Sequence, residues 1–244
     1  MAFRRNTALF FIGAAAACAA GGASAELLDK SMTAGGAKVQ YKVVLPDGYD
    51  SAKAYPAIIA LGGGPQTMNT VDGVLQRNLR AEAEKRGYIV VAPAAPDGDL
   101  FFYGGGRIFP DFLKKILADY KIERGKFHIA GPSNGGIAAF HVAAANPQYF
   151  LSVTAFPGYM WQPTNEKLLA IADMCVYMYV GENDEYRWHD EMQREAEFLR
   201  SHGTVAQYSV ERGQPHRLEM AGANAGRLFD GFEATKKGCR QPSK

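Results

Sequence analysis

Residues 127–136 read Phe-His-Ile-Ala-Gly-Pro-Ser-Asn-Gly-Gly. An apolar run feeding into Gly131-x-Ser133-x-Gly135 is the sequence form of a sharp strand-to-helix turn with a serine at its apex. So tight a turn strains the serine backbone, and flanking side chains would collide with the neighbouring strand and helix. Glycine has no Cβ and removes the collision. The serine hydroxyl then stands above a sheet at the start of the next helix, as a candidate nucleophile in need of partners.

The segments on either side of the turn predict the fold. Residues 37–45 alternate like a half-exposed strand and close in Pro46-Asp47-Gly48. Residues 56–61 are a continuous apolar run ending in Gly62-Gly63-Gly64, as a strand buried on both faces requires. Val71, Val74, Leu75, Leu79 and Ala83 recur at helical spacing over residues 70–86, before Gly87 and a strand at 88–92. A helix at 109–120 precedes the strand at 126–130, and a helix at 135–145 follows the serine. Strands at 151–156, 174–180 and 205–210 then alternate with helices at 188–201 and 221–235. This alternation predicts an α/β fold, a mainly parallel sheet with helices on both faces and no large cap domain. Neither an internal repeat nor a long linker divides residues 26–244, which are expected to form one domain.

The first 25 residues read as an export signal: Arg4 and Arg5, an apolar stretch from Leu9 to Ala20, then Ala23-Ser24-Ala25 as a cleavage site before Glu26. Lipidation at Cys18 is the weaker alternative, because Ala15 stands where a lipobox usually has a large aliphatic residue. The apolar run is short for a membrane span, so stable membrane insertion is not expected. The expected location is the periplasm or the medium. A formal charge of +2 without a basic cluster gives no reason to expect a nucleic-acid partner. Beyond the leader, Cys175 and Cys239 remain; they could pair and tie down the C-terminal tail, or stay a buried thiol and a loose one.

In parallel sheets the reactive crevice lies at the carboxyl ends of the strands. Four segments fall there: Gly62-Gly63-Gly64-Pro65-Gln66, Ser133, Gly181-Glu182-Asn183-Asp184, and Glu211 to His216. A free serine hydroxyl is a weak nucleophile and needs a base. His216 would take its proton, and Asp184 would hold the imidazole tautomer and stabilise the imidazolium. Glu182, Glu185 and Asp190 compete with Asp184, which is preferred for its place three residues past Gly181. Of the other histidines, His128 and His141 fall inside elements and His202 at the opposite end of the sheet, which leaves His189 as the rival to His216. An oxyanion needs preplaced backbone donors. The Asn134 amide is the first candidate, and Gly63, Gly64 or Gln66 could supply the second, whereas Pro65 cannot. No Gly-x-Gly-x-x-Gly or Gly-Lys-Ser/Thr pattern points to a nucleotide. Aromatic segments at 101–103 and 156–161 lie on the same rim, so Phe102, Tyr103, Tyr159 and Trp161 are expected to wall a substrate pocket.

Ser133, Asp184 and His216 follow one another in the chain order of α/β-hydrolases, and the chain resembles that superfamily over its length beyond the leader. Gly131 to Gly136, Gly181 to Asp184 and Pro215-His216 look like the exported esterases grouped with polyhydroxybutyrate depolymerases and feruloyl esterases. The resemblance implies cleavage of carboxylic esters through an acyl-enzyme on Ser133 without cofactor or metal. Many such relatives have His-Gly after the third strand, where this chain has Gly62. Soluble small-molecule or oligomeric esters are expected rather than an insoluble polymer. The alternatives are a peptidase with the same three residues and a non-catalytic binding protein on a hydrolase scaffold. The oligomeric state is not legible.

Overall fold

The computed structural model describes residues 25–220 and 222–241; the proposed leader and Cys18 lie outside the described residues, apart from Ala25. The strands are β1 (Glu26–Ala34), β2 (Ala37–Leu45), β3 (Ala57–Ala60), β4 (Ile89–Pro93), β5 (Phe127–Gly131), β6 (Phe150–Ala155), β7 (Cys175–Asn183) and β8 (Ala206–Pro215). They form one sheet in the order β1-β2-β4-β3-β5-β6-β7-β8. The first two pairings, β1 with β2 and β2 with β4, are antiparallel. Every pairing from β4 to β8 is parallel.

The apolar strands carry side chains to both faces, and two cores result. Ile59, Leu61, Val91, Ile129 and Val153 point to one face, and Ile58, Ala60, Val90, Ala92 and Ala130 to the other. Helices α3 (Phe109–Asp119), α4 (Asn134–Ala145) and α6 (His189–Ser201) cover the first face, burying Phe112, Phe140 and Met192 among others. On the second face lie α1 (Met68–Val74), α2 (Arg80–Arg86) and α7 (Ala223–Ala234), with Val71, Leu75, Leu79 and Phe229 inward. A short α5 (Asn165–Ala170) lies between β6 and β7. Each large apolar side chain removed from water in this way contributes about 1.5–3 kcal/mol.

The structure differs from the reading of the sequence in several features, the unforeseen α5 among them. β1 was not foreseen, because it is an edge strand with Asp29, Lys30 and Ser31 in its middle; Ala34 at its end is buried, and Leu27, Leu28 and Met32 are partly buried against the cores. The helix expected over 70–86 is interrupted by a π-helical segment, Leu75–Leu79, between α1 and α2; such bulges occur often at functional sites. β7 and β8 run beyond 180 and 210 and stay paired to Asn183 opposite Pro215, with a register shift after Gly181. The extension holds at Gly181 because a Cβ there would stand 2.2 Å from the Pro215 carbonyl oxygen.

Cys175 at the start of β7 is bonded to Cys239, 64 residues later. The tail is also bound by backbone hydrogen bonds, Val205 N to Cys239 O at 2.8 Å and Gln241 N to Gly203 O at 2.7 Å. The bond closes a loop containing α6, β8 and α7. Reduction, or Cys239→Ser, is therefore expected to lower the unfolding free energy by about 2–4 kcal/mol. Urea unfolding with and without dithiothreitol reads this directly, and coincident transitions would show that the disulfide adds nothing.

Candidate active site

Ser133 sits between β5 and α4 with φ 54° and ψ −125°. A non-glycine residue in this region stores about 1–3 kcal/mol of strain and persists only where its surroundings enforce it. The enforcing contacts are backbone against backbone. A Cβ on Gly131 would lie 2.6 Å from the Leu61 carbonyl oxygen, and one on Gly135 would lie 2.4 Å from the same atom. The Ser133 amide donates to the Pro157 carbonyl at 2.7 Å. Two neighbouring strands thus grip the turn, and only glycine fits beside the serine.

The paired ends of β7 and β8 deliver the other two groups. Asp184 directly follows Asn183 and His216 directly follows Pro215, so one pairing brings residues 32 apart in sequence together. His216 Nδ1 lies 2.9 Å from Asp184 Oδ1, and Nε2 lies 2.9 Å from Ser133 Oγ. A carboxylate only accepts, so Nδ1 carries the proton and Nε2 is left to accept from the serine hydroxyl. The Asp184 side chain has no exposed surface. Its oxygens also accept from the amides of Tyr186 at 3.0 Å and Trp188 at 3.4 Å. The loop wrapped around Asp184 therefore fixes the carboxylate before the imidazole reaches it.

The competing residues are occupied elsewhere. Glu182 accepts from the Gly213 amide and Glu185 from the His216 amide. These bonds brace the imidazole loop from outside. Asp190 lies in the first turn of α6. His189 Nε2 is spent on the Gly181 carbonyl at 2.7 Å. His128 is buried against Ser152, and burial lowers its pKa to about 3. His141 lies against the Trp161 carbonyl and His202 against the Phe198 carbonyl.

On the oxyanion side, the Asn134 amide opens α4 and, with those of Gly63 and Gly64, makes no hydrogen bond among the described residues. Gly63 is packed on the elbow, where a Cβ would stand 3.1 Å from the Pro132 carbonyl oxygen and 3.6 Å from the Ser133 Cβ. Asn134 Nδ2 donates to the Gly64 carbonyl at 2.9 Å, tying the glycine loop to the helix start. Gln66 is fully buried at φ 53° and acts as a brace. It donates through Nε2 to the Asn134 carbonyl and accepts at Oε1 from the Phe101 amide. The Gly62 position has its own reason: a Cβ there would meet Thr70 Oγ1 at 2.5 Å. The helix after the loop packs too close for histidine.

The aromatic wall expected from the sequence is not where the cavity is. The cavity beside Ser133 and His216 holds about 220 Å³, and its apolar lining is Val74, Pro132 and Leu218. Phe102 and Tyr103 instead line a separate cleft with Arg107 and His141, because the Phe101 amide is held by Gln66 and its ring is packed on Phe109. Tyr159 is buried with its ring on Trp188 and lines a third cleft, and Trp161 stands next to it, with 38% of its surface exposed. The rings that touch the site are Tyr186 and Trp188, whose centroids lie 4.5 and 4.7 Å from that of His216. Their nearness to Asp184 in the chain was the available signal.

Glu195, on α6, was also missed. It is 5% exposed and both its oxygens accept from the Met160 amide, at 3.1 and 2.9 Å. Burial pushes its pKa to about 8, so the carboxyl is largely neutral at pH 7. It anchors the segment whose Pro157 carbonyl holds the Ser133 amide.

Among the described residues, no group of three or more His, Cys, Asp or Glu side chains could hold a metal ion, and no helix is long and apolar enough to cross a membrane.

Residues 110–229 match the model of the Esterase family, described as "Putative esterase", and this stretch contains Ser133, Asp184 and His216. A curated relative, dipeptidyl-peptidase 5 of Porphyromonas gingivalis, is 31% identical over 132 residues, 48% of this chain; the chain spans 19% of that protein's length. Among solved structures, a ferulic acid esterase superposes with a TM-score of 0.66 at 19% identity, covering 88% of this chain and 99% of its own. The feruloyl esterase module from Clostridium thermocellum, as an S954A mutant complexed with sinapinate, superposes with a TM-score of 0.60 at 16% identity, covering 88% and 90%. At these identities the likeness is one of fold.

The strain at Ser133 has a measurable consequence. Ser133→Gly is expected to be more stable than Ser133→Ala by about 1 kcal/mol, since glycine tolerates φ near 54° and its extra unfolded-state entropy offsets only part of the relief. Urea denaturation of the two variants measures the difference. An alanine variant as stable as the glycine variant would mean that the turn is not strained.

Proposed function

We propose that this chain, which has the α/β-hydrolase fold and matches the Esterase family over residues 110–229, is a serine hydrolase that cleaves carboxylic esters. The observation that carries the reading is the continuous line Ser133 Oγ, His216 Nε2, His216 Nδ1, Asp184 Oδ1, with both contacts at 2.9 Å. His216 takes the hydroxyl proton as Ser133 Oγ attacks the ester carbonyl carbon. The oxyanion is held by the amide of Asn134 and one from Gly63 or Gly64. Collapse expels the alcohol, which receives the proton from His216, and leaves an acyl-enzyme. Water then attacks the acyl carbon with His216 again as base, and Ser133 is released with the carboxylic acid. Every step uses side chains and backbone amides of this chain alone.

The substrate is read as a soluble small or oligomeric ester. A peptidase using the same three residues is the second reading, favoured by the match to dipeptidyl-peptidase 5. The chain is also read as exported, to the periplasm or the medium. Supporting this are the leader pattern ending at Ala25 and the Cys175–Cys239 disulfide, a bond that persists in oxidising compartments.

Wild-type protein is expected to hydrolyse 4-nitrophenyl butyrate and to be labelled by a fluorophosphonate. Ser133→Ala should abolish the labelling, and Asp184→Asn should lower kcat by about 10⁴-fold. Labelling that survives in Ser133→Ala would refute the assignment, and turnover of dipeptidyl anilides but not esters would select the peptidase. For export, fractionation of cells making the full chain should give a form beginning at Glu26 outside the cytoplasm. A cytoplasmic form retaining Met1 would overturn that part.

A further inference from the structure

The cavity beside Ser133 and His216 is lined by two arginines, Arg77 and Arg217, together with Asn78 and Thr70. Among the described residues, neither guanidinium forms an ion pair. Some other guanidiniums find acids, as in Arg80 with Glu84, Arg86 with Glu82, and Arg227 with Glu211, whereas Arg124, Arg187, Arg200 and Arg212 form no ion pair among the described residues. What sets Arg77 and Arg217 apart is that both line the cavity beside Ser133. Both residues line the cavity while remaining exposed; partial desolvation and then the like charge of Arg217 lower the Arg77 pKa. Two like charges on one cavity repel weakly where water reaches them, and an anion bound between them would turn that repulsion into attraction to both.

The local structure is built to place them there. Arg77 lies in the π-helical segment Leu75–Leu79, where the bulge changes the direction of side chains relative to a regular helix. Its guanidinium occupies the space over Gly73, where a Cβ would be 2.6 Å from one of its terminal nitrogens. Arg217 directly follows His216, so the loop that aims the imidazole also fixes where this second guanidinium starts. The Asp184 carboxylate is fully enclosed behind His216 and is committed to it, so it does not neutralise the arginines.

We propose that the ester cleaved here carries a carboxylate on the half that enters this cavity, and that Arg77 and Arg217 bind it. The proposal rests on the ester-hydrolase reading and narrows it. Guanidinium forks match a carboxylate in paired, charge-assisted hydrogen bonds. A cavity of about 220 Å³ suits a short chain or a single ring ending in that group.

Two matched pairs test it: 4-nitrophenyl hemiglutarate against 4-nitrophenyl pentanoate, with the anion on the acyl side, and 3-carboxyphenyl acetate against phenyl acetate, with it on the leaving group. In wild type, kcat/KM for the anionic member of one pair should exceed that of its neutral partner by about tenfold or more, through KM. The ratio should fall in Arg77→Gln and in Arg217→Gln and approach one in the double variant. Glutarate should slow fluorophosphonate labelling of Ser133 in wild type and not in the double variant. Ratios of one or below in both pairs, or a ratio that survives the double substitution, overturn the proposal while leaving the ester reading intact. Labelling unaffected by glutarate does the same if none of the four esters is turned over. Absence of fluorophosphonate labelling in wild type removes the ester reading and this proposal together.

Discussion

The site depends on one backbone constraint, the forced turn at Ser133. Its φ of 54° is held because Gly131 and Gly135 are pressed on the Leu61 carbonyl and the Pro157 carbonyl takes the serine amide. The same compression sets the other parts. Gly63 reaches the elbow because the loop after β3 is clamped there, and Gln66 bridges that loop to Asn134 and Phe101. The helix start that leaves the Asn134 amide unpaired is a direct product of the turn. Strain at the serine and the unpaired amide of Asn134 are thus two results of one packing arrangement.

The second determinant is the extension of β7 and β8. Asp184 and His216 are not on free loops; each is the first residue beyond a paired strand end, and Asn183 stands opposite Pro215. Two amides, of Tyr186 and Trp188, hold the Asp184 carboxylate, and one carboxylate, of Glu185, holds the His216 amide. Tyr186 and Trp188 cover the imidazole edge with rings. Preorganisation of this kind leaves little to rearrange when a substrate arrives.

Much of this was legible in the sequence because the fold rule and the chemistry reinforce each other. Apolar runs of strand length followed by glycine-bearing loops placed Ser133, Asp184 and His216 on one rim. What escaped had weak local signals. β1 is an exposed edge with little periodicity. The π segment at 75–79 has the same apolar spacing as a regular helix, so only the backbone reveals it. The pocket aromatics were misplaced because composition and rim position do not give direction: a hydrogen bond from the Phe101 amide to Gln66 turns Phe102 and Tyr103 to another cleft. Arg77 and Arg217 were overlooked because an unpaired arginine looks like any other in a sequence, and its lack of an acid partner shows only in three dimensions.

The central claim is that the Ser133 hydroxyl becomes acylated in turnover. Mass spectrometry of protein quenched during hydrolysis of a slowly deacylating aryl ester tests this most directly. The account predicts an acyl adduct mapped to Ser133, absent in Ser133→Ala and accumulating when deacylation is slowed. Turnover without any adduct, or with the adduct on another residue, would contradict it.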